Sequence, residues 1–163
     1  MPLRPPVFVA PMPLFERLAD EAPFDAHERA DAVAARALDA QGLRDSIRAE
    51  LLRLLNTRRG RTRGPATLGE PDVLHYGLPD WSALSAAHAG DRAVLERQVA
   101  QAVRAFEPRL AEPRATIEPD PDAPWRLRLR IGGLLRGRDG AQQTASFLVR
   151  FDADSHTPGI VDE

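Results

Sequence analysis

Apolar residues in the middle of the chain recur with helical spacing. Leu43, Ile47, Leu51, Leu54 and Leu55 fall at i, i+4, i+8, i+11 and i+12, one stripe of an amphipathic helix. Arg44, Arg48 and Arg53 lie off it. The stripe runs out at Asn56-Thr57-Arg58-Arg59-Gly60, where Gly60 offers a left-handed stop. A second stripe, Leu95, Val99, Ala102, Val103 and Phe106, opens near Asp91, a candidate N-cap after Gly90. It closes before Pro108, because the residue preceding a proline is pushed out of the helical region. At about 1.5 Å per residue this second helix is roughly 25 Å long. Between the two lie a basic, Gly-punctuated loop from Arg58 to Pro65 and a turn, Tyr76-Gly77-Leu78-Pro79-Asp80, ahead of Trp81.

After Pro113 the period changes to two. Trp125, Leu127, Leu129 and Ile131 alternate with Arg126, Arg128 and Arg130, the pattern of a half-buried strand. Gly132-Gly133 predicts a bulge or bend, and Arg138-Asp139-Gly140 a hairpin turn. The returning strand puts Phe147, Val149 and Phe151 on one face and Ser146 and Arg150 on the other. A shorter strand, Arg114–Glu118, pairs with one of these. Helices followed by an antiparallel sheet predict an α+β fold in two layers, the N-terminal helices packed on a small sheet.

The rest of the chain sets the boundaries. Met1–Pro13 holds five prolines and reads as a Pro-rich, irregular arm. Leu14-Phe15-Glu16-Arg17-Leu18 is a short apolar element with Phe15 and Leu18 on one helical face. Residues 20–42, rich in Ala, Asp, Arg and Glu, read as a variable, partly helical connector. The expected layout is an arm over residues 1–13, a single domain over 14–154 and a tail over 155–163. The full 163 residues suit one domain with a real core.

Composition narrows the function classes. The formal charge of −2 gives no global pull toward nucleic acid or anionic membrane. All 22 basic residues are Arg, which offers planar, multi-donor contacts that Lys cannot. With no cysteine, disulfides, Cys-based zinc sites and thiolate nucleophiles are excluded. No apolar stretch of about 18 residues is present to span a membrane, and the N-terminal arm lacks a signal-peptide core. A soluble, cytoplasmic protein is the expectation.

Three motifs in order carry a resemblance. Leu54-Leu55-Asn56-Thr57-Arg58-Arg59, then Tyr76-Gly77-Leu78-Pro79-Asp80, then Phe106-Glu107-Pro108-Arg109-Leu110 resemble the tail-lysozyme-like baseplate wedge family. Leu14–Leu18 and Leu127-Arg128-Leu129-Arg130-Ile131 are also similar to it. The likeness covers roughly Leu14 to Phe151. His75 departs from it, standing where the family would place Asn, and Glu21–Gln41 is longer and richer in Ala. One branch of the family serves type VI secretion machines (the TssE kind) and another the contractile tails of phages. The resemblance implies a structural adaptor in the baseplate wedge, bound to large subunits of the TssF and TssG kind. It further implies a link to sheath proteins of the TssB and TssC kind and a place in the cytoplasm on a membrane-associated baseplate, without membrane insertion.

The residues admit such a role. Glu107-Pro108-Arg109 ends a helix, and the proline fixes the direction in which the chain leaves. The two charges either pair with neighbours in the same subunit or make a directional contact with a partner; on the second reading Glu107→Ala leaves the fold intact and weakens wedge assembly. Asn56-Thr57-Arg58 follows a helix end whose carbonyls favour a cation, and the arginines there serve that end or a partner. Tyr76, Gly77, Leu78, Pro79 and Asp80 form a packed turn or a contact. The arginine row Arg126, Arg128, Arg130 reads as a solvent face, its repulsion offset by Glu118 or Asp152. An open sheet edge is available for strand addition from another chain.

Other chemistries fit poorly. A muramidase with Glu107 as general acid needs a second carboxylate, about 5–5.5 Å away for retention or about 6.5–9.5 Å for inversion, and an acid of raised pKa. Arg109, two residues on, works against the latter. Arg58, Arg59, Arg61 and Arg63 lack interleaved aromatics for nucleic acid. His27, His75, His88 and His156 lack metal-ligand spacing, Ser46, Ser82 and Ser85 lack a nucleophile elbow, and nothing resembles a cofactor site. A regulatory adaptor on the same fold is a further reading.

Overall fold

The computed structural model describes residues 10–11, 13, 37–60, 73–80, 88–121, 123–137, 140–151 and 158–161. The Leu14–Leu18 element, Arg61–Pro65, Trp81, Arg138, Asp139 and Asp152 lie outside them, as do His27 and His156. Helix α1, Ala40–Asn56, is opened by Asp39, whose carboxylate accepts from the Gly42 N–H at 2.8 Å. That side-chain oxygen satisfies one of the helix's orphan donors. Leu43, Ile47, Leu51, Leu54 and Leu55 are all buried, four of them completely. Truncating one of the fully buried leucines to Ala costs about 2–5 kcal/mol. The helix thus begins inside the segment read as a connector. Just before it, Ala37–Leu38 (β2) pairs antiparallel with Ala10–Pro11 (β1), so this much of the arm is regular, and Ala10 joins the core.

Helix α2, Ala89–Phe106, starts two residues ahead of Asp91, with His88 at its N-cap and Asp91 in its first turn. A carboxylate there complements the helix dipole in place of the cap. Val99, Ala102 and Val103 are buried, while Leu95 and Phe106 pack partly buried against the same core. Glu107 is the C-cap.

The sheet is antiparallel, in the order β3-β4-β5-β6, with β3 Leu110–Asp120, β4 Ala123–Arg136, β5 Gln142–Phe151 and β6 Pro158–Val161. Leu129 faces Val149 and Ile131 faces Phe147 across β4 and β5; with Leu110, Leu135 and Ala145 they build the sheet's half of the core. Two layers result, as the alternation predicts. Residues 158–161, placed in a tail by sequence, form the fourth strand.

β3 is more than twice the length expected, since Pro113 reads as a strand boundary but sits in a bulge. Ala111 pairs with Leu134 and Arg114 with Gly132, so Glu112 and Pro113 together oppose Gly133. The irregularity predicted at Gly132-Gly133 therefore exists, with its extra residue on the neighbouring strand. Proline has no N–H to give to a ladder and fits at a bulge. Glu112 takes φ 49°, a left-handed conformation for a non-glycine residue. Gly133 is required by close approach: a Cβ there would lie 2.8 Å from the Ala111 carbonyl oxygen.

Helix side chains occupy both edge strands. The Ile117 N–H of β3 donates to Glu96 of α2 at 2.7 Å, and Arg48 of α1 donates to the Ile160 carbonyl of β6 at 3.2 Å. Such capping blunts an edge that would otherwise accept a foreign strand. On the arginine face Glu118 binds Arg128 at 2.9 Å and Arg130 at 3.1 Å, and Asp120 binds Arg150 at 3.3 Å. Glu118 is the predicted counter-charge; Asp120 is the one sequence reading overlooked.

Candidate functional site

Both helices end on the same region, and there the three sequence motifs meet. The first is the end of α1. It stops at Asn56, with Thr57 as an extended C-cap, not at Gly60. Asn56 donates to the Leu52 carbonyl at 2.9 Å and the Thr57 hydroxyl to that of Arg53 at 2.7 Å. Once these side chains satisfy the last carbonyls, no left-handed glycine is needed.

The second motif zips onto the first. The Leu78 N–H donates to the Thr57 carbonyl at 2.9 Å and the Arg59 N–H to the Leu78 carbonyl at 2.7 Å, a short parallel bridge between Arg58 and Leu78. Gly77, at φ 99°, makes this approach possible; a Cβ there would lie 2.4 Å from the Thr57 carbonyl oxygen. Leu78 is buried, and Arg58 and Asp80 are exposed.

Tyr76 connects this junction to both helices. Its ring stands edge-on to Phe106, the last residue of α2, with centroids 5.2 Å apart at 71°, a favourable aromatic geometry. Its hydroxyl donates to Glu50 of α1 at 2.7 Å, and Glu50 also binds Arg53 at 2.8 Å. Burial works to raise the Glu50 pKa. The Tyr76 hydroxyl, Arg53 and the charge of Arg109 outweigh it and hold the carboxyl below its ordinary value. Burial, then the Glu50 carboxylate, push the Tyr76 phenol well above its usual range.

The third motif closes the corner. Glu107 is 1% exposed, and its two carboxylate oxygens are turned inward onto Arg109. One oxygen accepts from Arg109 Nε at 2.7 Å and from its backbone N–H at 3.2 Å; the other accepts from Nη2. Arg109 Nη1 then donates to Ser46 Oγ of α1 at 2.8 Å. The guanidinium thus spans the α2–β3 turn and the flank of α1 in a bidentate fork that Lys could not reproduce. Of the two readings open for this pair, the contacts are those of same-subunit pairing. Pro108 faces solvent at the tip.

All eleven sequence-nominated positions, Asn56, Thr57, Arg58, Tyr76, Gly77, Leu78, Pro79, Asp80, Glu107, Pro108 and Arg109, belong to the three motifs that converge here. Sequence reading missed Ser46, Glu50 and Arg53 as their partners. A signal was available: Ser46 and Glu50 fall three residues after Leu43 and Ile47, on the flank of the apolar stripe, where a polar group needs a partner. Beside the corner, Val73 and Leu74 in a short 3₁₀ turn are 86% and 68% exposed. Among the described residues no group of three or more His, Asp or Glu side chains could hold a metal, and no helix is long and apolar enough to cross a membrane.

The family model of baseplate wedge protein gp25 matches residues 41–139, from the first turn of α1 to the β4–β5 turn, more than half the chain. The chain belongs to the baseplate wedge protein gp25 family. This family includes TssE, and membership makes the chain a structural component of a phage-tail-like baseplate. No curated protein matches it. All three motifs lie inside the matched span, as do every residue of the Glu107–Arg109–Ser46 network and the bulge at Glu112.

Proposed function

We propose that this protein is a TssE-type wedge subunit of a type VI secretion baseplate. It acts as a non-catalytic adaptor that docks on the large TssF and TssG kind of subunit and links the wedge to TssB–TssC sheath assembly. The observation that carries this reading is the convergence of all three motifs on one braced corner. Inward-facing charges there fix the shape, while Pro108, Arg58, Asp80, Val73 and Leu74 present an exposed surface. Exposed large apolar side chains rimmed by polar ones are what a protein interface uses.

Glu107 and Arg109 enter this proposal as positioning residues. Burial of Glu107 also argues against muramidase chemistry, since a general acid must reach the glycosidic oxygen with a proton to give. A carboxylate that is 1% exposed and enclosed by Arg109 lacks that access. Strand addition at β3 or β6 would have to displace Glu96 or Arg48, so a sheath link through the sheet edge requires one of these side chains to swing out.

The test is co-purification of the tagged chain from its native cell. Recovery of large baseplate subunits supports the reading. Val73→Asp with Leu74→Asp should reduce that recovery while leaving the melting temperature unchanged, because both side chains are exposed. Absence of any baseplate component, in cells that assemble the machine, overturns it.

A further inference from the structure

Next to the corner an open groove of about 520 Å³ runs between the end of α2 and the β3 bulge. Three arginines line it from three different elements: Arg104 in the last turn of α2, Arg114 just past the bulge on β3, and Arg136 at the end of β4. All three are exposed, and among the described residues none of their guanidinium groups is in an ion pair. Among the described residues Glu112 is the single acid in the lining, beside the buried Leu110 and Ala111. The protein as a whole is slightly acidic, with a formal charge of −2, so this is a local concentration of positive charge.

Dipole complementarity at a helix C-terminus accounts for Arg104 alone. It leaves Arg114 and Arg136 unexplained, although elsewhere on the same sheet Arg128, Arg130 and Arg150 each meet a carboxylate. Local backbone structure also serves the groove. The bulge holds Glu112 in a left-handed conformation, and strain of that kind persists where the surroundings over-determine it, often at binding sites. A backbone hydrogen bond from Arg136 N–H to the Arg109 carbonyl at 3.2 Å joins the groove to the braced corner. The arginines are therefore mounted on a rigid frame.

We infer that this groove binds an extended acidic segment of a partner protein, its carboxylates taken bidentately by Arg104, Arg114 and Arg136. Forked guanidinium groups match carboxylate geometry. An open groove with arginines from three elements suits an acidic chain better than a compact ligand, and among the described residues no aromatic side chain lines it on which a nucleobase could stack. Glu112 sets the selectivity, repelling a segment that places a carboxylate over the bulge. The inference deepens the proposed function and rests on it only for the source of the segment.

A fluorescein-labelled oligo-glutamate peptide, titrated against the purified full chain at low ionic strength and followed by anisotropy, tests it. Saturable binding is expected, lost against an oligo-glutamine peptide. Arg104→Gln, Arg114→Gln and Arg136→Gln should each weaken it on the order of threefold to fivefold. Glu112→Gln should tighten it. Arg44→Gln, on α1 over the Phe147 ring, removes the same charge elsewhere and should leave affinity unchanged. Melting curves of the variants should match that of the parent, since all three arginines are exposed. No saturable binding, equal weakening by Arg44→Gln, or tighter capture of a single-stranded oligonucleotide through the same arginines overturns the inference. Because the assay uses the purified chain alone, its failure is distinct from a failure to co-purify baseplate subunits.

Discussion

Glu107 and Arg109 are paired, but they are not equally buried, and the difference predicts an asymmetry. Glu107 is 1% exposed and the Arg109 side chain 22%. Replacing one member of a buried ion pair costs about 3–5 kcal/mol when the other charge is left without compensation. Arg109→Gln strands a carboxylate that has no route to water, so the full range applies. Glu107→Gln strands a guanidinium that can turn toward solvent and that keeps Ser46 at 2.8 Å, so its cost falls lower, about 2–3 kcal/mol. For a domain of this size about 1 kcal/mol moves the melting temperature by roughly 2–4 °C. Arg109→Gln should therefore lower it by about 6–20 °C, and Glu107→Gln by less. The double substitution leaves neither charge stranded and should cost well under the sum of the singles, a coupling of about 2 kcal/mol. Thermal unfolding of the three variants, followed by circular dichroism at neutral pH, reads all of this. Additive effects, or a Glu107→Gln variant as stable as the parent, would refute a buried, coupled pair. The sequence-based expectation that Glu107→Ala spares the fold fails on the same geometry: alanine strands the guanidinium and also empties a fully buried site.

Two further outcomes follow from the same corner. Gly77→Ala should destabilise the chain by about 2 kcal/mol or more, because a left-handed residue acquires a Cβ that meets the Thr57 carbonyl; an unchanged denaturant midpoint would count against the Thr57–Leu78 bridge. Tyr76→Phe removes the hydrogen bond to Glu50 and should cost about 1–2 kcal/mol at neutral pH. The folded pKa of Glu50 is depressed, so its contribution is present above the ordinary value of 4.5 and lost as pH falls through the lower folded value. The raised Tyr76 phenol contributes below its ordinary value of 10.0 and loses that contribution as pH rises beyond it. The Tyr76→Phe deficit should hence be largest between these limits and shrink toward both; a deficit independent of pH would remove Glu50 from the account.

Periodicity made the core legible, because burial selects residue type directly. Leu43 through Leu55, Val99 through Phe106, and Leu129, Ile131, Phe147 and Val149 all face inward as their spacing requires. Element boundaries were less legible where side chains replaced the expected stop or start. Thr57 and Asn56 end α1 ahead of Gly60, and Asp91 supports α2 from its first turn. β3 reads as shorter in the sequence because a proline in a bulge and a proline at a strand boundary look alike until the partner strand is known. The three motifs mark the residues that converge at the corner, but the direction of its charges is not legible in them. The Arg109 fork that encloses Glu107 is itself held by Ser46, sixty-three residues before Arg109, and no local pattern encodes that contact. The groove arginines share this problem, coming together from a helix and two strands.

On the proposed function the braced corner is the face applied to the wedge. Site-specific photo-crosslinking in the native cell tests it most directly, with a photoreactive residue placed singly at Arg58, at Leu74 or at Gly90. The first two flank the corner. Gly90 lies at the other end of α2, about 24 Å along the helix from Phe106, where an added side chain meets nothing within 4 Å. Crosslinks to a large baseplate subunit from positions 58 and 74, and not from 90, are the predicted result. Crosslinks from position 90 alone would contradict it and place the docking face at the opposite end of the molecule.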